Sequence, residues 1–303
     1  MRVFVTGATG FIGSAVVREL LKAGHQVLGL ARSDQGAASL TAAGAEVLRG
    51  DLNDLDSLRN GAAASDGVIH TAYNHDFTVS RSDAALADRR AITTMAEALT
   101  GSNRPLVITS GTGVRAGGRI ATEDTVPVSD PTGRYANEEA AMAFVQRGVR
   151  IVVVRFPPSV HGRGDHGFVP LLINIARSKG VSAYPGDGSN RWAAVHRLDA
   201  AHLFRLALES APAGARLHGV GDEGVPVREI AEVISRTAEL PLTSISPEVA
   251  GTHFGFLGPF FARDCPASSA LTQKLLGWHP LQPGLIADLE EGHYFSEVTA
   301  AIA

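Results

Sequence analysis

Two stretches of the sequence carry side chains suited to moving a proton, and a third is suited to holding an anion. The first, GRYANEEAAM at residues 133–142, offers Tyr135. A phenol titrates at about pH 10, so it transfers protons at neutral pH only when a nearby cation lowers that value. One helical turn on stands Glu139, and a carboxylate shifts the phenol the other way. The second stretch, VHGRGDHGF, holds His161, Asp165 and His166 on a glycine-rich loop. Imidazole titrates near neutrality and suits general acid–base work. Equally, such residues hydrogen-bond the backbone of their own loop. Their spacing is not that of a helical HExxH pair, and the chain has a single cysteine, so no metal site is expected.

The third stretch is Thr6-Gly7-Ala8-Thr9-Gly10-Phe11-Ile12-Gly13. Gly7 permits a tight turn, Gly10 lets the backbone approach a pyrophosphate, and Gly13 lets a helix lie close to the strand before it. Unpaired N–H groups at the positive end of that helix then face the phosphates. The motif follows a strand and opens a helix, which is the context a dinucleotide site requires. An NAD site usually places an acidic residue at the end of the second strand, for the ribose 2′-hydroxyl. Here LGLARSD puts Leu30 and Ala31 there, followed by Arg32 and Ser33. A guanidinium matches a 2′-phosphate in charge and shape, so NADP(H) is predicted ahead of NAD(H). A solvated Arg32, with Asp34 reaching the hydroxyl, is the competing account.

The elements that must position these residues are legible as short apolar runs. VFVT, QVLGLA, AEVLRG, GVIHTA, PLVITS and RIVVVRF read as strands, and stretches such as GSAVVRELLKAG between them as helices. Strands flanked by helices imply an α/β fold, a doubly wound parallel sheet buried on both faces. The reading places a nucleotide-binding domain at 1–155 and a smaller substrate lobe at 156–303, with some of its segments returning to the main sheet. The 303 residues are 45% hydrophobic and 19% charged, with a net charge of −4. That balance gives no general attraction to nucleic acid or anionic lipid. No apolar run approaches the roughly 18–20 residues that span a bilayer. The N-terminus lacks the sections of a signal peptide, and Cys265 reads as a small buried hydrophobe, so a cytoplasmic protein is expected.

As a set, TGATGFIG, GDLND at 50–54, HTA at 70–72, ITSGT at 108–112 and VRFPPSVHG at 154–162 resemble the extended and atypical short-chain dehydrogenases/reductases. The branch is that of the epimerases/dehydratases and the 3β-hydroxysteroid dehydrogenases. The resemblance runs through roughly the first 200 residues. It implies a Rossmann-like domain with the glycine turn on the phosphates and the adenine near Asp51 and Leu52. It also implies Thr71, Ala72 and Tyr73 beside the phosphates and ribose, and Pro157, Pro158 and Ser159 near the nicotinamide.

In that family a Ser/Thr hydroxyl orients the substrate carbonyl, a tyrosine passes the proton, and a lysine four residues on lowers the phenol's pKa. Ser110 or Thr112 fits the hydroxyl. The Tyr–Lys pair is missing. Starting from Tyr135 the lysine position is Glu139; counting back without a gap from RGVRIVVVRF, the pair becomes Asp130 and Arg134, with Glu138 on a position where the family often has glutamate. The second register needs no insertion, and it leaves Tyr135 as a helix residue near the site. Asp88 replaces the family's usual asparagine, or simply favours a helix dipole from its first turn. The proton donor is then Tyr73, His161 or water, with Arg134 as the cation near the ribose.

GDGSNRWAAVHRLDAA, residues 186–201, resembles the segment that closes the substrate pocket, which makes Trp192 and His196 pocket or interface candidates and Asp199 a helix cap. HFGFLGPFFA at 253–262 either lines an apolar cavity or forms a seam between lobes or between the subunits of a homodimer, the seam being preferred. The predicted activity is NADP(H)-dependent transfer of a hydride to or from a carbonyl or alcohol of an apolar small molecule. A nucleotide-sugar epimerase or dehydratase and a non-catalytic NADP-binding sensor are the alternatives.

Overall fold

The computed structural model describes residues 1–75, 78–112, 119–125 and 133–296. The chain runs β1 (Arg2–Thr6), α1 (Phe11–Lys22), β2 (Gln26–Ala31), α2 (Asp34–Ala42), β3 (Glu46–Arg49), α3 (Leu55–Ala63), β4 (Gly67–His70), α4 (Arg81–Ala98), β5 (Pro105–Gly111), α5 (Arg134–Met142) and β6 (Arg150–Phe156). It continues with β7 (Ser159–His161), α6 (Phe168–Lys179), β8 (Ser182–Pro185), β9 (Arg191–His196), α7 (Arg197–Ser210), β10 (Ala215–His218), β11 (Asp222–Pro226), α8 (Val227–Ala238) and β12 (Leu242–Ile245). Helices α9 (Pro247–Phe254), α10 (Gly258–Phe261), α11 (Ala270–Leu276), α12 (Leu285–Glu290) and α13 (His293–Ser296) complete the described residues.

A parallel seven-stranded sheet in the order β10-β6-β5-β4-β1-β2-β3 forms the core. Its apolar runs are continuous because side chains alternate between two buried faces. Val3 and Val5 pack with Val16 and Leu20 of α1 and with Phe204 and Leu208 of α7. Phe4, between them, faces Leu58 of α3 and Ile92 and Met95 of α4. The six predicted strands are all present, and the fold is the Rossmann-like α/β arrangement. The seventh strand, β10, and helix α7 come from beyond residue 156 and complete this layer.

The second lobe has its own core, built on α6, α8, α9, α10 and α12 over β8 and β9. It corrects the expectations for Trp192 and Asp199. Trp192 is fully buried in this core between Phe168 and Phe261, so it lines neither pocket nor interface. The phenylalanine-rich segment gives Phe254, Leu257 and Phe261 to the interior of the same core, while Phe256 is exposed and the Phe260 ring lies 4.7 Å from the guanidinium of Arg81 at the start of α4. Asp199 does not cap α7. The cap is His196, whose Nδ1 accepts from the Leu198 amide, while the Asp199 carboxylate accepts from the amides of Leu281 and Gln282. Among the described residues, no helix is long and apolar enough to cross a membrane.

Candidate active site

The turn between β1 and α1 is shaped by contacts that leave no room for side chains. Gly7 has φ +66°, and a Cβ there would fall 2.6 Å from the Ala72 amide nitrogen; one on Gly13 would fall 2.0 Å from the Gly7 carbonyl oxygen. Gly10 differs. Its φ is −75°, and a Cβ would meet only the Gly7 oxygen, at 3.2 Å. Packing within the protein therefore does not demand glycine at 10; the open space before it fits a group that comes from outside. Helix α1, led in by Thr9 and Gly10 and beginning at Phe11 and Ile12, has no acidic residue in its first turn and no side-chain cap. Its amides remain free for a pyrophosphate.

At the far end of this cradle, Arg32 is exposed beyond the end of β2, and Ser33 caps α2 by accepting from the Gly36 amide. Arg49, at the end of β3, donates to the Ser33 carbonyl and to Asp34 at 2.8 Å. Asp34, the rival partner for a ribose hydroxyl, is thus ion-paired. Asp51 accepts from the Asn53 amide in a local turn, and Leu52 packs partly against the core under α3.

The C-terminal ends of β4, β5 and β6 carry the polar rim. Thr71 donates to the Thr6 carbonyl at 2.8 Å, which ties the Thr71–Ala72–Tyr73 turn to β1. Ser110, Thr112 and Ser159 are each 3% exposed, and their hydroxyl oxygens have no hydrogen-bond partner among the described residues. Pro157 and Pro158 link β6 to Ser159. Buried orphans of this kind are uncommon and mark a place where a ligand or ordered water completes the set. Arg134, at the start of α5, lays its guanidinium 3.8 Å from the ring centroid of Tyr73, and its buried Nε is also unpartnered. Burial pushes the Tyr73 phenol up, and Arg134 pulls it back only in part.

Tyr135 is spent elsewhere. Its hydroxyl donates to the Gly111 carbonyl at 3.2 Å, and burial, together with Glu138, pushes its pKa up to about 12. Glu138 is paired with the fully buried Arg155, which donates to it from Nε and Nη2, the latter at 2.7 Å. Glu139 is exposed on α5. Asp130 lies outside the described residues.

Asp88 is not a free acid, and it does not stand at a helix N-terminus. It lies within α4, whose N-cap is Ser80. It belongs to a buried chain: Thr6 Oγ1 to His70 Nδ1 at 2.7 Å, His70 Nε2 to Asp88 Oδ1 at 3.0 Å, and Asn137 Nδ2 to Asp88 Oδ2 at 2.7 Å. Burial alone would raise this carboxyl; the His70 contact, Arg134 and Asn137 outweigh it and hold it below the usual range. With both oxygens engaged, Asp88 positions α5 against the cradle and does not meet a substrate.

His161 is likewise enclosed. It has no exposed surface, its Nδ1 is 2.9 Å from Asp288, and His293 reaches the other Asp288 oxygen at 2.9 Å. Its Nε2 is buried with no partner among the described residues, and the Asp288 contact ties α12 and α13 to the end of β7. Asp165 accepts from the Gly167 amide and from Tyr294, and burial pushes its pKa up to about 6. Asp288, Glu291 and His293 bring ligand-type atoms within 4.8 Å of one another, but the Asp288 oxygens are already bonded to the two histidines. Cys265 is buried, and burial pushes its thiol up to about 11.

A parallel sheet with a glycine cradle after its first strand and a polar rim at its strand ends narrows the relatives to be expected. A model of the NAD dependent epimerase/dehydratase family matches residues 3–218, most of the chain. The chain belongs to this family. An uncharacterized protein of Schizosaccharomyces pombe is 50% identical over 296 residues, 97% of this chain and 100% of that one. The 2-alkyl-3-oxoalkanoate reductase of Stenotrophomonas maltophilia is 31% identical over 255 residues, 76% of this chain and 73% of its own. In fold, the family likeness extends to the crystal structure of a dTDP-glucose 4,6-dehydratase from Streptomyces venezuelae with NAD and TYD bound. The TM-score is 0.76 at 20% identity, covering 96% of this chain and 97% of that one.

Sequence reasoning missed Arg49, His70 and Asn137. Arg49 could have been suspected from LRGD at a strand end. His70 and Asn137 carry no local signal, because their partners are distant in the chain.

Proposed function

We propose that the protein is an NADP(H)-dependent reductase of a ketone on a small molecule, working without the usual Tyr–Lys pair. The observation that carries this reading is the stack of Arg134 on Tyr73 at 3.8 Å, beside three unpartnered hydroxyls. The nicotinamide, when bound, supplies the hydride. Ser110 or Thr112 donates a hydrogen bond to the carbonyl oxygen, which strengthens as that oxygen gains charge. Tyr73, whose pKa is raised, is protonated at neutral pH and passes its proton to the same oxygen. Arg134 then stabilises the phenolate left behind through its ring. The 2′-phosphate preference rests on Arg32 and on the engagement of Asp34 by Arg49. A relative named for a 3-oxoalkanoate supports a ketone as substrate.

The test mixes the protein with NADPH and a panel of ketones, including 2-alkyl-3-oxoalkanoates, and follows absorbance of the reduced cofactor. Turnover is expected, and Tyr73→Phe should lower kcat by roughly a hundredfold or more with NADPH affinity unchanged. Full activity in Tyr73→Phe, or tight NADPH binding with no ketone reduced, would overturn the reading. Conversion of a nucleotide sugar without net cofactor oxidation would replace it with an epimerase or dehydratase.

A further inference from the structure

Arg197 begins α7, where the second lobe's β9 hands the chain back to the first layer. Its guanidinium reaches the first turn of α1. It lies 4.6 Å from the ring centroid of Phe11, Nη2 donates to Ser14 Oγ at 3.3 Å, and Nη1 donates to the Arg163 carbonyl at 2.8 Å. Its Nε is buried without a partner. The loop after β7 is folded around it: Gly162 has φ +129°, and a Cβ there would fall 3.1 Å from Arg197 Cγ. From the same loop, His166 sets its ring edge-on to Phe11 with centroids 5.8 Å apart.

Electrostatically this is an awkward place for a cation. Arg197 is the first residue of its own helix and lies against the first turn of another, and both helix ends are positive. The acidic residue in α7's first turn, Asp199, is bonded to the Leu281 and Gln282 amides. Arg18 lies near enough to oppose the charge further; burial and Arg18 lower the Arg197 pKa against a smaller opposite effect of Asp165. Arg197 makes no ion pair among the described residues. An anion lying over Phe11 and Gly10 would relieve all of these terms at once.

We propose that Arg197 is a cofactor-binding residue, the cation that meets the dinucleotide's pyrophosphate from the start of α7, beside the first turn of α1. The inference rests on the cofactor reading above. It makes the 162–167 loop and the start of α7 sensitive to whether phosphate occupies the cradle.

The experiment is calorimetric titration of wild type, Arg197→Gln and Arg197→Lys with NADPH, with 2′-phospho-ADP-ribose and with adenosine 2′-monophosphate, each variant first checked by circular dichroism. Arg197→Gln should weaken NADPH and 2′-phospho-ADP-ribose alike, by roughly ten- to a hundredfold, and leave adenosine 2′-monophosphate unchanged. Arg197→Lys, which keeps the charge and most of the packing, should fall between and serves alone if the glutamine variant does not fold. Unchanged NADPH affinity in the variants would overturn the inference. So would equal weakening of all three ligands, which would make Arg197 a structural clasp. Wild-type protein that binds neither NADPH nor NADH would instead sink the cofactor reading and this inference with it.

Discussion

Two sets of buried polar residues differ in one respect. Along Thr6, His70, Asp88 and Asn137 every side chain has its partner inside the protein. At the strand ends, Ser110, Thr112, Ser159 and the Nε of Arg134 have none among the described residues. Burying a polar group costs free energy unless a hydrogen bond replaces water. The satisfied chain is therefore architecture, holding α4 and α5 to the turn after β1. The unsatisfied set is a cost the fold carries until something binds. By the same measure Asp88, whose chemistry suggests catalysis, belongs with the architecture, His161 is bonded at Nδ1 and unpartnered at Nε2 among the described residues, and the plainer hydroxyls belong with the site.

The largest expected effect tests the satisfied chain. His70→Ala removes the partner of a buried carboxylate, and such losses cost about 3–5 kcal/mol. Urea unfolding at pH 7 should show a loss of that order. Asp88→Asn, which keeps the shape and removes the charge, should cost less than His70→Ala. If His70→Ala unfolds at the wild-type urea concentration, the chain is not what holds these elements together.

This contrast also marks how far the sequence could be read. The six strands were visible because each is a continuous β-branched run buried on both faces. The seventh, ARLH at 215–218, has no such run and is recruited by pairing with β6. The glycine turn was visible because its demands are local. The polar chain was not: its links join residues 64, 18 and 49 positions apart, a separation no local pattern encodes. That Glu139, and not lysine, stands four residues after Tyr135 could be read directly. Tyr73 and Arg134 could each be named, but their stacking depends on how α5 lies beside β4. Trp192 was misplaced for the converse reason, since apolar residues look alike in a core and at an interface.

A middle-sized effect extends the comparison to the second lobe. Asp165 is pushed up from 3.8 to about 6. Between those values the folded protein holds a proton that the unfolded chain has released, so this group's contribution to stability falls as pH rises through the window. The whole effect is at most about 3 kcal/mol. Asp165→Asn keeps an oxygen to accept from Gly167 and an amide to donate to Tyr294, and it has no charge to bury. Against wild type, its stability in urea should be similar or lower at pH 4.5 and higher at pH 7. A difference that stays constant with pH would mean Asp165 is ionised at its ordinary value.

The smallest expected change in stability, and the sharpest separation of the two sets, comes from the hydroxyls. Ser110→Ala and Thr112→Val remove groups that make no hydrogen bond inside the protein, so the folded state loses no partner and sheds a desolvation cost. Unfolding free energies should move by less than about 0.5 kcal/mol in either direction. Turnover should respond differently: whichever hydroxyl meets the carbonyl oxygen should lower kcat by roughly ten- to a thousandfold when removed, while the other variant keeps its rate. A large stability loss in either variant would show that the hydroxyl has an internal partner and belongs with the architecture. Stability and turnover both unchanged in both variants would remove these side chains from the site, leaving Tyr73 and Arg134 to act on the oxygen alone.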